Sequence, residues 1–424
     1  MGFHGTRESR HGARAALQRE HRHRRRDGDG QRGEDQRDPG RIRSPGLSDG
    51  APTTTRETYA VRLYEPGLAQ ACERFTRRAW PKTNDHAGAG ENGDAEALAP
   101  RVLFLKGDEV IGHIATVPVR LALAGRVVNA SWAVGLMVLP EHRNGPVAPL
   151  LVKKLNQTVE IGLTLHVEEA ALRIFKGVGW RHLGVIPQYI RVLNARAFVR
   201  TFARRGDKFL SGRSARLWRA LTRVSGAVAA LVSVAFSGLA LVGALRHQIV
   251  PGATVVEEHG FDASYTRLAE RTKGKFAAWV WRDAPYLMAR YGRRMGAYRL
   301  LACRRQTRLL GYCIVKLRQF QNDPRMGDIR MGTIVDCVFD PEAPQVLDTL
   351  LQSAVALCRR EAVDVVFCSA SLRGLGQCLR RHAFISTPGT LHAAYHDRTG
   401  TIREDLPLES WHLMRGDSDA DANC

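Results

Sequence analysis

An α/β (α+β) chain of two mixed-sheet domains, joined by a basic, apolar helical connector, is the architecture the sequence predicts. Three observations carry that expectation. An apolar strand, a tight polar loop and a fresh helix follow one another over residues 133–155. A similar order of strands and helices recurs at about 255–395, and an uncharged run at 224–245, preceded by a strongly basic stretch, separates the two blocks. A chain of 424 residues has room for two or three domains with their own cores. The expected divisions are a basic tail at 1–54, a first domain at 55–200, the connector at 201–254, a second domain at 255–400 and a tail at 401–424.

Residues 1–54 are rich in Arg, Gly, Asp and His and carry too few large apolar side chains to fold on their own. Met1-Gly2-Phe3-His4-Gly5-Thr6 formally matches a myristoylation pattern, and no apolar signal segment follows it. Order begins near Tyr59. Leu68 to Trp80 has helical spacing, and 81–100 is a Gly/Ala/Asn/Asp loop. Strands follow at Arg101–Leu105, Val110–Leu123 and Val127–Val138, the last two joined through Ala124-Gly125-Arg126. After the helix that begins near Pro146 come a strand at Leu163–Val167, a helix over 168–177 ended by Gly179, and a strand at Val185–Leu193.

Residues 196–223 read as basic helix. The run from Val224 to Leu245 would reach ~33 Å as a helix, enough to cross a bilayer. Its Ala, Gly and Ser content favours an interdomain or membrane-surface helix over a span. In the second block, Trp279, Trp281, Pro285 and Tyr286 open an aromatic segment. Strands are expected at 298–303, 309–317, 332–339 and 365–369, and helices at 346–360 and 374–382.

The formal charge of +21 is spread over several Arg runs, so no single stripe marks a nucleic-acid surface. An anionic acyl donor or an anionic membrane face would be attracted as well. The eight Cys lack metal-ligand or CxxC spacing, and no metal is expected. Cys303, Cys313, Cys337 and Cys368 lie inside apolar strand patterns and read as buried structural thiols of a reducing compartment.

The junction Val138-Leu139-Pro140-Glu141-His142-Arg143-Asn144-Gly145-Pro146-Val147-Ala148-Pro149-Leu150-Leu151 places unpaired amides and the positive end of a helix dipole together, which is an anion site. It also resembles the acyl-CoA loop of the GNAT acyltransferase superfamily. Arg143 and Ala148 fall on the first and last motif positions, while Pro146 stands at the central glycine and Gly145 precedes it. Downstream, Glu168 to Trp180 resembles the helix that in this family reads Asn-x-x-Ala-x-x-x-Tyr-x-x-x-Gly-Phe, with Phe175 at the Tyr position.

The resemblance implies an acyl-CoA-dependent N-acyltransferase. Acetyl-CoA or another acyl-CoA would be its co-substrate and an amine its acceptor, such as one on a cell-envelope or polysaccharide precursor. Strand amides at Met137 and Val138, and the loop residues Arg143, Asn144, Gly145, Val147 and Ala148, would hold the donor. Tyr189, Glu169 and His113 are the candidates for proton transfer, because Phe175 has no proton to give. Each also has a structural reading, His113 as a packed strand residue and Glu169 as a complement to a helix dipole. In the second block Asp340-Pro341-Glu342-Ala343-Pro344 replaces the glycine loop, and acidic residues there would repel a phosphate, so that half is expected not to bind the donor. A cytoplasmic protein, peripheral at the inner membrane face, follows from this reading. The alternatives left open are a non-catalytic binding protein that keeps the fold and a basic nucleic-acid-associated protein, the latter disfavoured.

Overall fold

The computed structural model describes residues 58–79, 101–203, 225–244, 250–323 and 326–418. The basic tail, the 81–100 loop and most of the basic stretch before residue 225 lie outside them. The chain opens with β1 (Tyr59–Leu63), α1 (Ala69–Ala79) and a meander of β2 (Arg101–Lys106), β3 (Glu109–Leu123) and β4 (Arg126–Val138). The β3–β4 hairpin closes through two residues, Ala124 and Gly125, both at positive φ (46° and 84°). That turn matches the right-handed twist of its strands. Helix α2 (Val147–Thr158), β5 (Ile161–Leu165), α3 (Glu169–Gly177) and β6 (Arg181–Val192) follow, then α4 (Ala195–Ala203) and the apolar α5 (Ser225–Ala244).

The second block runs β7 (Thr254–Glu258), α6 (Ala263–Thr272), β8 (Ala278–Val280), α7 (Ala284–Tyr291), β9 (Tyr298–Arg305), β10 (Arg308–Gln319) and β11 (Arg330–Phe339). It continues with α8 (Pro344–Arg360), β12 (Val365–Ser369), α9 (Arg373–Arg381), β13 (Ile385–Asp397) and β14 (Trp411–His412). Asp262 and Asp283 cap α6 and α7 by accepting from the amides of Ser264 and Tyr286, which satisfies donors that a helix start leaves open.

All of these strands belong to one mixed sheet. Along its main path the order is β1-β2-β3-β4-β5-β13-β6-β12-β11-β10-β9-β7. The expected boundary between two separate domains is therefore not where the sheet breaks. β13, from the second block, lies between β5 and β6 and is antiparallel to both. β6, from the first block, lies between β13 and β12.

Only two junctions between neighbouring strands of this path are parallel, β4 with β5 and β11 with β12. Each parallel pair splays before its first strand ends. β4 leaves β5 after Trp132, and β11 leaves β12 after Ile334. Two glycines set the helix that follows each splay against the sheet. A Cβ on Gly112 of β3 would come within 2.8 Å of Val147 and 3.2 Å of Leu151 on α2. A Cβ on Gly311 of β10 would come within 2.9 Å of Val346 and 3.2 Å of Leu350 on α8.

The expected C-terminal tail is corrected as far as Ser418. Trp411, Leu413 and Met414 are buried, β14 pairs β8, and Ser371 Oγ donates to the Trp411 and Leu413 carbonyls. The lock is Arg282, fully buried. Its guanidinium spans Asp336 on β11 (3.0 Å) and Asp417 (2.7 Å), donates to the Val280 carbonyl, and lies over the Trp279 ring. Burial pushes the Asp417 carboxyl up to about 7. Removing one member of such a cluster strands the others without compensation, at about 3–5 kcal/mol. Arg282→Met should lower the denaturant midpoint by a stability of that order and expose 408–418 to protease. An unchanged midpoint would show that the segment is held by its apolar contacts alone.

Candidate functional site

The splay between β4 and β5 leaves one edge of β4 without a strand partner from Val134 to Val138, while β3 still covers the other edge. Gly135 bends this stretch. Its φ is +61°, and the register slips between Val134↔Ala115 and Met137↔His113, so that Gly135 and Leu136 together face Ile114. This is a β-bulge, which re-aims backbone groups beside a site. A lone glycine between Val134 and Leu136 in a strand pattern is the signal that points to it.

Beyond Val138 the chain makes a short 3-10 turn at Pro140–His142 and enters α2 at Pro146. Arg78 of α1 clamps that turn, binding Glu141 (2.6 Å) and Glu109. The amides of His142, Arg143 and Gly145 are used inside the loop, on the carbonyls of Leu139, Pro140 and His142. Pro146 and Pro149 have none. Among the described residues, no hydrogen bond uses the amides of Asn144, Val147 or Ala148. Those three, with the helix dipole behind them, are the open donors that an anion at the start of α2 would need.

The Arg143 side chain is not extended toward a ligand. It folds back, its Nε donating to the Val138 carbonyl at 3.0 Å and its Nη2 lying 3.8 Å from Met137 Sδ, so it caps β4. Gly145 is not in the left-handed region, and a Cβ there would meet nothing closer than the His142 carbonyl at 3.6 Å. A methyl group is tolerated at 145, and no backbone strain argues for glycine.

The three candidates for proton transfer are not brought together. Tyr189 is three strands from β4 along the sheet, paired with Cys368 and Ser386 on β12 and β13. Its hydroxyl abuts Gly376 of α9, where a Cβ would overlap it at 2.1 Å. Burial pushes its phenol up, against the pull of Arg380. Tyr189 is thus a core residue of the other half, placed there by the exchange of β6. Glu169 stands on the first turn of α3 with its side chain 81% exposed and 4.0 Å from Arg173, the dipole-complementing arrangement.

Of the three, His113 alone adjoins β4. It pairs with Met137, lies 3.7 Å from where a Gly135 Cβ would be, and packs edge-on against Phe75 of α1 (centroids 5.1 Å). Burial, helped by Arg101, lowers its pKa to about 4, so the imidazole is neutral near pH 7.

Phe175 is core. It meets Trp180 edge-on at 4.6 Å, and Trp180 donates to Asn156 while its ring fills the space beside Gly162. Gly179, at φ +95°, ends α3 with Trp180 N–H bonded to the Phe175 carbonyl. Ala383, at φ +59°, ends α9 the same way, with Phe384 N–H on the Leu379 carbonyl.

At the second splay the chemistry differs. Lys275 Nζ, from the connection between α6 and β8, lies 2.7 Å from Asp340 and 2.8 Å from Glu342, so it offsets one of the loop's two negative charges. The amides of Glu342, Ala343 and Val346 bond inside the loop, and Pro341 and Pro344 lack N–H. Behind it, Asp348 of α8 gathers Cys378 (3.0 Å), His382 (3.0 Å) and Arg381 (3.0 Å) from α9 and its end. Sequence spacing could not reveal this cluster, since its members come from two helices. The thiols of Cys303, Cys313, Cys337 and Cys368 are buried as expected.

No protein-family pattern matches the sequence, and no curated protein matches it. Solved structures do. A GCN5-related N-acetyltransferase from Anabaena variabilis superimposes over 80% of this chain and 72% of its own, with TM-score 0.54 and 10% identity. A protein of unknown function from Enterococcus faecalis, described as a probable N-acyltransferase, does so over 79% and 72%, with TM-score 0.51 and 11% identity. The likeness shows the fold: a mixed α/β sheet of the GNAT type.

The His113 shift has a measurable sign. A lowered imidazole pKa contributes stability that is present above the unfolded value of ~6.5 and is lost as pH falls to about 4. At ~1.4 kcal/mol per unit this amounts to ~3 kcal/mol. His113→Gln should therefore lose less stability than wild type when urea midpoints at pH 7 and pH 4.5 are compared. Equal losses would mean that His113 is solvated.

Proposed function

We propose, with the GNAT-type fold as premise, that this protein is an acyl-CoA-dependent N-acyltransferase with one donor site. The observation that carries the proposal is the continuity of unspent backbone donors. The partnerless edge of β4 runs directly into the three open amides of Asn144, Val147 and Ala148 at the start of α2. A donor that is part amide chain and part pyrophosphate matches that succession: the pantetheine amides pair along the β4 edge and the phosphates sit on α2.

The reaction is then set by position. The acceptor's neutral amine nitrogen attacks the thioester carbonyl, the C–N bond forms, the C–S bond breaks and CoA leaves as thiolate. Amides of the bulge at Gly135 and Leu136 stabilise the oxyanion. Holding the two reactants supplies a large part of the rate. A thiolate leaves without a strong acid, which suits a site where Phe175 replaces a phenol. The amine's proton passes to His113 or to water. With a pKa of about 4, His113 is a weak base, and it acts mainly by position.

We also read the second block as a repeat of the first in which the donor site has been lost. Supporting this are the matched splays, the paired glycines Gly112 and Gly311, and the matched helix ends at Gly179 and Ala383. The acids Asp340 and Glu342, only partly offset by Lys275, and the amides already bonded inside the loop account for the loss. A second reading, binding without turnover, is favoured by Phe175 and Pro146. Release of free thiol from acetyl-CoA in the presence of amines separates the two.

Calorimetry on the full chain should give one CoA per protomer, and a stoichiometry of two would overturn the asymmetric assignment. Gly145→Glu adds a negative charge at the phosphates. One charge at ~4 Å contributes between ~1 kcal/mol in water and ~4 kcal/mol near a protein surface, so CoA affinity should fall at least about fivefold. Gly145→Ala should bind as wild type does, because the backbone there needs no glycine. Equal affinity for wild type and the folded Gly145→Glu variant would remove the donor from this loop.

A further inference from the structure

Helix α5 is long and apolar enough to cross a bilayer, yet only 17% of Gly226–Gly243 is buried. One face is used. Ala229 and Gly243 are buried, and Val232, Phe236 and Ala240 face a narrow 80 Å³ cleft against β6 and Arg359 of α8. Helices α4 and α9 also pack on α5. The opposite face is Leu231, Val234 and Leu241, each 68–71% exposed, with Leu239 and Val242 beside them. From Ser225 to Ala244 there is no charged side chain. A helix apolar all round has no stable place in water: it is either enclosed or in lipid.

The surroundings say which. The elements packed on α5 present exposed cations, Arg196 and Arg200 on α4 and Arg380 on α9, and Arg359 lines the cleft. The sequence just before α5 adds seven more (Arg204, Arg205, Lys208, Arg213, Arg216, Arg219, Arg223) against the single acid Asp207. An apolar strip inside a cationic surround matches the acyl and headgroup layers of an anionic leaflet. Against a second copy of the chain the same surround would face itself, and like charges would oppose the contact.

We propose that α5 seats this protein on an anionic bilayer, lying in the interfacial plane with Leu231, Val234 and Leu241 in the acyl boundary. The helix does not span. Its packing on α4, α9 and β6 would have to be stripped away, and the strands on either side of it, β6 and β7, belong to one sheet. The proposal stands independently of the acyltransferase reading.

Flotation of the full chain with phosphatidylcholine vesicles, with and without phosphatidylglycerol, tests it. The protein should float with the anionic vesicles and much less with the neutral ones. Binding should weaken several-fold as salt is raised, and carbonate should extract it. The triple variant Leu231→Glu, Val234→Glu, Leu241→Glu should bind at least tenfold less with an unchanged melting curve. Arg196→Glu with Arg200→Glu, which leaves the apolar face intact, should reduce the preference for anionic vesicles. Wild type left unbound by anionic vesicles overturns the proposal. So does carbonate resistance, which means a span, or a dimer by light scattering that the triple variant splits without any vesicle binding, which assigns the face to a second copy.

Discussion

Neither half of this protein can close its sheet without a strand from the other. The gap between β5 and β6 is filled by residues 385–397, and the gap between β12 and β13 by residues 181–192. Each exchanged strand carries backbone donors and acceptors on both edges, and a sheet interior offers no water to satisfy them if the partner is missing. The two halves are therefore bound by main-chain pairing as well as by a shared apolar core, which joins Leu121 and Trp132 of the first to Val280 and Trp411 of the second. The second half is indispensable whatever it binds, because β13 pairs the free edge of β5 beside the first half's splay. This is also why Tyr189, on a strand of the first block, is three strands from β4.

Around the two splays the same scaffold ends in opposite electrostatics. Both loops follow a strand that departs from a parallel neighbour, and both precede a helix pressed onto a glycine of the adjoining strand. What differs is the use of the amides and the charge brought to them. At 140–148 three donors are left over and the nearest acid, Glu141, is held by Arg78. At 340–346 the amides of Glu342, Ala343 and Val346 are bonded inside the loop, and Lys275 offsets one of the two charges of Asp340 and Glu342. Open amides and the charge beside them both favour an anion at the first loop over the second.

Much of this was legible in the sequence where the determinant was local. The hairpin at Ala124-Gly125, the helix that starts at Pro146, the stop at Gly179 and the acidic loop at 340–342 each announce themselves over a few residues. What was not legible required contacts distant in sequence. Arg282 reads as one charge in an aromatic stretch until Asp417, 135 residues on, is seen beside it. Asp348 reads as a helix-surface acid until His382 and Arg381 close over it. Trp411 and Leu413 looked like part of a polar tail because the segment is short and bounded by charges. The exchange of β6 and β13 leaves no trace in periodicity at all, since a strand carries the same alternation whichever neighbours it has.

Under the proposed acyl transfer, the separation of proton-transfer candidates from the β4 edge bears on how such a site can work. With Tyr189 across the sheet, Glu169 in solvent and Phe175 in the core, only the neutral imidazole of His113 adjoins β4. Strong general catalysis matters most when the leaving group is poor and the nucleophile must lose its proton in the transition state. A thioester has a good leaving group, and an amine can give up its proton after attack. The demands left are orientation and a polarised carbonyl, and both are backbone tasks. A bulge fixed by Gly135 and a loop clamped by Arg78 place those backbone groups rigidly. The acyl transfer proposed for this site is chemistry that needs geometry more than it needs an acid or a base.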